Sequence, residues 1–205
     1  IKEALKRIYD IERLAGRIAC GNANGKDMVA LRNSVFVVPD IKSELAGCES
    51  ALLSDMGLEL SDLSDIYNLV DAAIVDEPPF TIKEGGLIKE GYSEELDTLK
   101  LSIRDAQSWI AGLEAKERER TGIKNLKVGF NKVFGYFLEV TRSYYELIPE
   151  NYIRKQTLVN CERFITPELK ETESLVLNAE TKINQLEYRL FSELRDAVEK
   201  YIPEL

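Results

Sequence analysis

Two segments of this chain repeat apolar residues at spacings of three and four. Leu96, Leu99, Ile103, Ala106, Ile110 and Leu113 form one seam. Leu169, Val176, Ile183, Leu190 and Ala197 form the other at sevens, with Ala179 and Leu186 between them. Such a pattern holds apolar residues on one helix stripe and little else satisfies it. The first helix opens with an N-cap serine, Ser93, and the acidic pair Glu94-Glu95, which suits the helix dipole. The second opens on Thr166 with Pro167 at the first helical position. Ser93 to Arg120 spans about 40 Å at 1.5 Å per residue. A compact insertion between them forces proximity, so the seams are read as pairing within the chain, antiparallel, rather than as an oligomerising coiled coil. The insertion then sits at the far end of a stalk.

The insertion, 121–166, is rich in β-branched and aromatic residues. Leu126–Phe130 and Val133–Thr141 read as strands joined by a tight Asn131-Lys132 turn. Tyr144–Tyr152 is irregular, and Arg154–Phe164 reads as a third strand, about the minimum for an independent sheet. The flanking stretches Glu114–Arg120 and Glu168–Thr172 carry few apolar residues. They predict low local stability and a tip that moves semi-rigidly on its stalk.

Charge distinguishes the insertion. It holds seven Lys and Arg against four Glu, a net +3 in a chain of net −9, which leaves −12 on the rest. Polar Asn131, Thr157 and Asn160 are interleaved with the cations, and phosphate contacts draw on such a mixture. The alternatives are an ordinary solvated face, or a scaffold tip that binds a protein partner. Phe130, Phe134, Tyr136 and Phe137 are read mainly as the insertion's core, with base stacking as the other possibility. The chain has no histidine, which excludes Ser–His and Cys–His nucleophiles and histidine metal sites within it. Cys20, Cys48 and Cys161 share no metal spacing and read as buried free thiols in a reducing compartment. No apolar run is long enough for a membrane helix.

The preceding part reads as a helical frame. A helix is expected over Ile1–Ile18, opening without an N-cap, as if the sequence began inside a larger protein. A second helix follows Asp27 as N-cap, interrupted at Pro39; short helices are expected near Glu49–Met56 and Ser61–Ile74. Asp76-Glu77-Pro78-Pro79 ends the helical run. Phe80–Tyr92 reads as a small hairpin. Its glycines are not a phosphate loop, because no Gly-Lys-Ser/Thr follows and no strong strand precedes.

Several stretches resemble the MutS family of DNA mismatch-repair proteins. They are YDIERLAGRI (Tyr9–Ile18), GGLIKEGYSEELDTLK (Gly85–Lys100), ERERTGIKNLKVGFNKVFGYFLEVT (Glu117–Thr141) and NYIRKQTLVNCERFITPELKE (Asn151–Glu171). Together they cover essentially the whole chain, and Gly135 between Phe134 and Tyr136 fits the pattern. The resemblance implies a mainly α fold: a helical core and lever over 1–120, a β-rich clamp over 121–166 and a returning lever helix over 167–205. It implies that the clamp holds double-stranded DNA by its phosphate backbone without sequence specificity. The candidate DNA-binding residues are Lys124, Asn131, Lys132, Arg154, Lys155, Thr157 and Asn160. Residues two apart share a strand face, which groups Lys155 with Thr157 and Arg154 with Gln156 and Asn160. Both sets cannot face DNA from a flat strand; the resemblance favours Asn160 with the hairpin turn. The family's mismatch-reading domain and its ATPase have no counterpart here, since no GxxxxGK[ST] occurs. ATP and Mg²⁺ are therefore expected outside this chain, which is not itself an enzyme. The parent protein is expected to be a cytoplasmic, nucleoid-associated dimer, assembled through other domains, and a partner of MutL-like proteins.

Overall fold

Asp10 decides how the chain begins. In the computed structural model, which describes residues 1–205 and every side chain but that of Lys83, its carboxylate accepts the Arg13 N–H at 3.0 Å. That cap starts a new helix, so the single helix expected over Ile1–Ile18 is two, α1 (Lys2–Leu5) and α2 (Ile11–Ala19). Helix α3 (Gly25–Val35) is capped by Asn24, not Asp27. Asp27 is instead the third helical residue and closes a capping box back onto Asn24. Pro39 lies in the first turn of α4 (Val38–Ala46), where its missing N–H costs nothing. Helices α5 (Ala51–Glu59) and α6 (Ser64–Ala73) follow.

Phe80–Tyr92 forms no hairpin. Ile82–Glu84 is a 3₁₀ turn, and Ile88 pairs across to Ile74 in an isolated antiparallel bridge. Gly85 and Gly86 both have positive φ, 72° and 76°, and turn the chain away from itself. The Leu87 N–H is taken by the buried carboxylate of Glu187 at 3.1 Å. The first of two compact units comprises Ile1–Glu94 with Asn184–Leu205. Its core is built from Leu14, Ile18, Met28, Leu31, Ile66, Val70, Leu87, Phe191 and Leu194, the apolar stripes of several helices meeting on one centre. Arg32 is buried there between Asp71 (3.0 Å) and Asp76 (2.8 Å), so its charge is compensated.

The second unit is Glu95–Ile183. It contains nearly all of α7 (Glu94–Thr121), a four-stranded antiparallel sheet and the first half of α8 (Pro167–Glu199). The strands are β1 (Lys127–Asn131), β2 (Gly135–Thr141), β3 (Ile153–Thr157) and β4 (Cys161–Ile165), in the order β1-β2-β4-β3. The fold is mainly α with a small sheet inserted between helices. The single strand expected over Arg154–Phe164 is a hairpin, turned by Leu158-Val159-Asn160, with the Leu158 N–H on the Cys161 carbonyl at 2.9 Å.

The sheet has no separate core. Leu138, Val140 and Phe164 pack with Ile110 and Leu113 of α7, Leu169 of α8, and Ile123 and Leu126 of the connection. The flanking stretches are mostly exposed, as expected, yet helix and sheet also lock together in and beside them. Glu114 accepts the Val128 N–H at 3.0 Å, Glu117 accepts the Tyr152 hydroxyl at 2.6 Å, and Glu173 accepts the Tyr136 N–H at 3.1 Å. The expected semi-rigid joint rested on counting apolar residues, and these polar bonds escape such a count.

Candidate nucleic-acid interface

The register fixes where each candidate residue lies. Asn131 pairs with Gly135 at the start of β2, and Thr141 at its end pairs with Cys161. Six residues of strand, about 20 Å, separate those levels. Asn131 and Lys132 belong to the β1–β2 turn at one end. Lys124, Thr157 and Asn160 belong to the other: Asn125 donates to the Thr141 hydroxyl, and Arg142 donates its N–H to the Asn160 carbonyl at 3.3 Å. The candidate set is thus not one patch. The first turn and Asn160 lie at opposite ends of the sheet because β2 runs its length between the Asn131↔Gly135 and Thr141↔Cys161 levels.

Asn131 also has a local task. Its side-chain oxygen accepts the N–H groups of Val133 (2.8 Å) and Phe134 (3.3 Å), an Asx turn that fixes the hairpin. Lys132 projects from that turn, exposed. A bulge settles the face of β3. The pairing Arg154↔Phe164 is followed by Gln156↔Arg163 and Thr157↔Glu162, so Lys155 is the extra residue. Alternation breaks there, and Arg154 shares a face with Thr157 rather than with Gln156. Both reach the Glu162 carboxylate, Arg154 at 3.2 Å and Thr157 at 3.4 Å.

Ion pairing divides the cations further. Arg154 is held by Glu162, and Arg163 by Glu139 at 3.0 Å while lying over the Phe137 ring at 4.2 Å. Among the described residues, Lys124, Lys127, Lys132, Arg142 and Lys155 make no ion pair, and all five are exposed. Two of the four glutamates of the insertion are consumed by arginines, so the net +3 is carried by these five lysine and arginine side chains against Glu146 and Glu150. The sheet end bearing Lys124 is a rim of four adjacent segments: Lys124-Asn125, Arg142-Ser143, Val159-Asn160 and Thr157. At about 4.8 Å per strand it is about 14 Å wide. Arg142 and Ser143 were missed because they follow a strand; only the pairing of Thr141 with Cys161 brings them beside Asn160.

Cys20 is exposed and Cys48 and Cys161 are half-buried, contrary to the expectation of buried thiols. Cys161 sits on the sheet beside Glu139, and burial and that carboxylate push its thiol up, away from reactivity. At the base of β3, burial pushes the Glu117 carboxyl up. The Arg120 guanidinium and the Tyr152 hydroxyl outweigh it and hold the group below the usual carboxylate range. Tyr152→Phe should therefore cost about 1.5–3 kcal/mol, the worth of a hydrogen bond to a charged acceptor. Because the folded value of Glu117 is depressed, its contribution is present above the unfolded value and lost as pH falls through the folded one. Urea midpoints of the two proteins should differ at pH 7 and converge below about pH 4; an equal gap at both pH values would remove Glu117 from the account.

No described helix is long and apolar enough to cross a membrane. The family model described as MutS family domain IV matches residues 91–182. A DNA mismatch repair protein MutS of Ruminiclostridium cellulolyticum is 56% identical over 197 residues, 96% of this chain and 23% of that protein. Its counterpart in Acetivibrio thermocellus is 53% identical over 205 residues, 100% of this chain and 24% of that protein. That of Listeria monocytogenes is 52% identical over 204 residues, 99% and 24% of the two chains. The chain spans about a quarter of the length of the curated relatives it matches.

Proposed function

The chain belongs to the MutS family, and from that premise we propose that its β sheet is a clamp that grips duplex DNA through the phosphate backbone, without reading sequence. The observation that carries this is the rim. Unpaired Lys124 and Arg142 stand beside Asn125, Ser143, Thr157 and Asn160 on four neighbouring segments, in a protein whose net charge is −9. Cations mixed with amide and hydroxyl groups make phosphate contacts, which position a protein on DNA but carry no sequence information. Lys155, at the bulge, extends the rim along the outer strand. Arg154 serves mainly to neutralise Glu162, and Lys132 lies at the opposite end.

A contact of this kind neutralises about two to three phosphates and gives a weak dissociation constant, near 10⁻⁴ to 10⁻⁶ M. Homoduplex and mismatched duplex should bind this chain equally within about twofold. Fluorescence anisotropy with both, at low salt, checks this; a tenfold preference for the mismatch would mean that the sheet reads bases.

A second reading, a scaffold whose tip binds a protein, is favoured by the other end of the sheet. Phe130, Val133 and Phe134 are all exposed around the β1–β2 turn, Val133 at 80%. For the longer protein, dimerisation, association with MutL-like proteins, and ATP with Mg²⁺ are extended from the family as part of the same proposal. They are assigned to segments outside this chain, which contributes no catalysis.

A further inference from the structure

Glutamates are out of place at the base of a device that holds a polyanion, yet three converge on the sheet. Each makes the same pair of contacts. Glu114 takes the Val128 N–H and is matched by Arg118 at 2.7 Å. Glu117, buried, takes the Tyr152 hydroxyl and is matched by Arg120 at 2.6 Å. Glu173, buried, takes the Tyr136 N–H and is matched by Lys170 at 2.6 Å. In every case a cation on the same helix cancels the charge; on Glu114 and Glu173 a backbone N–H of the sheet takes the other oxygen, and on Glu117 the Tyr152 hydroxyl shares Oε2 with Arg120.

The donors are not arbitrary. β1 is an edge strand, and the Val128 N–H points away from β2, where no strand follows. Tyr136 lies before the first β2–β4 pair, Leu138↔Phe164, so β4 offers its N–H no carbonyl. Glu114 and Glu173 each stand in for an absent strand, and Glu117 ties down the side chain that leads into β3. An edge N–H left unpaired at a buried junction is costly, so the sheet is held where those oxygens are. The Arg118 guanidinium adds a bond to the Leu126 carbonyl at 2.7 Å, on the same edge. At Gly135 the packing leaves no room for a side chain, since an added Cβ would lie 1.6 Å from a Glu173 oxygen.

We propose that Glu114, Glu117 and Glu173 are positioning residues for DNA binding: they never touch DNA, and they fix the angle at which α7 and α8 present the rim. α7 holds β1 and the start of β3, α8 holds β2, and the sheet with both helix ends moves as one body. The proposal rests on the clamp reading for its functional consequence, but its structural half can be tested without DNA.

Amide hydrogen exchange and duplex affinity are measured on the 205-residue chain, on Glu114→Ala/Glu173→Ala and on Glu114→Gln/Glu173→Gln. Glutamine keeps an oxygen acceptor. The alanine pair should lose at least tenfold protection at Val128 and Tyr136 while Leu138 and Val140 stay protected, and should bind duplex at least fivefold more weakly. The glutamine pair should stay within about twofold of the parent in both. Unchanged protection and affinity in the alanine pair would overturn the proposal. So would a glutamine pair as weak as the alanine pair, which would make charge, not acceptance, the operative property. If the alanine pair does not fold, the glutamine pair and Glu114→Ala alone decide by the same criteria at Val128. Lost protection with no binding by the parent chain would leave the positioning bonds standing and remove the clamp reading.

Discussion

Gly135→Ala should lower the stability of the second unit by about 3 kcal/mol, through two costs that can be separated. Gly135 has φ +77°, a conformation that a residue with a Cβ adopts at about 1 kcal/mol or more. The new methyl would also lie 1.6 Å from Glu173 Oε1 and 2.5 Å from its carboxyl carbon. A glutamate end can swing aside, but this one holds the Tyr136 N–H and Lys170, and moving it forfeits bonds to a charged group worth about 1.5–3 kcal/mol. In a Glu173→Ala background only the backbone cost persists, so the same substitution should then cost about 1 kcal/mol. The difference is the coupling energy of two touching residues, expected near 2 kcal/mol. Urea denaturation of the four proteins closes the cycle. Additive costs would mean that Glu173 does not occupy the space beside Gly135.

Lys124→Glu/Arg142→Glu should weaken duplex binding about 100-fold near 0.1 M salt. Each lost phosphate contact removes about 0.9 from the salt slope, close to tenfold in affinity relative to 1 M salt, and reversal adds repulsion. The fold should survive, since both residues are exposed and make no ion pair, and such surface changes usually stay within about 0.5 kcal/mol. Lys6→Glu/Lys42→Glu, in the first unit, is the control. Lys132→Glu, at the sheet's opposite end, should cost far less than the rim pair; its position is a prediction of register, not of charge count.

The long helices, of 28 and 33 residues, were legible because heptad periodicity from Leu96 to Leu113 and from Leu169 to Ala197 leaves few alternatives. The small sheet was legible as β, but its strand count was not. The turn at Leu158-Val159-Asn160 contains neither glycine nor proline, so an apolar stretch with a hidden hairpin looks like one strand. The bulge at Lys155 exists only in the mismatch between two strands, and no residue of β3 alone reveals it. The joint between sheet and helices was misjudged for a related reason. Glutamate is assigned to solvent by default, and Glu117 and Glu173 are buried because the sheet lacks acceptors of its own. The cations of the interface could be counted in the sequence, but which of them share a rim depends on long-range pairing.

A salt titration of duplex binding decides most directly whether the sheet is a DNA clamp. Log affinity of the 205-residue chain for a duplex, plotted against log salt, should fall with a slope of about −2 to −3, and the rim pair should flatten that slope by about 1.8. A salt-independent isotherm, or a rim pair whose slope matches that of the parent chain, would contradict it.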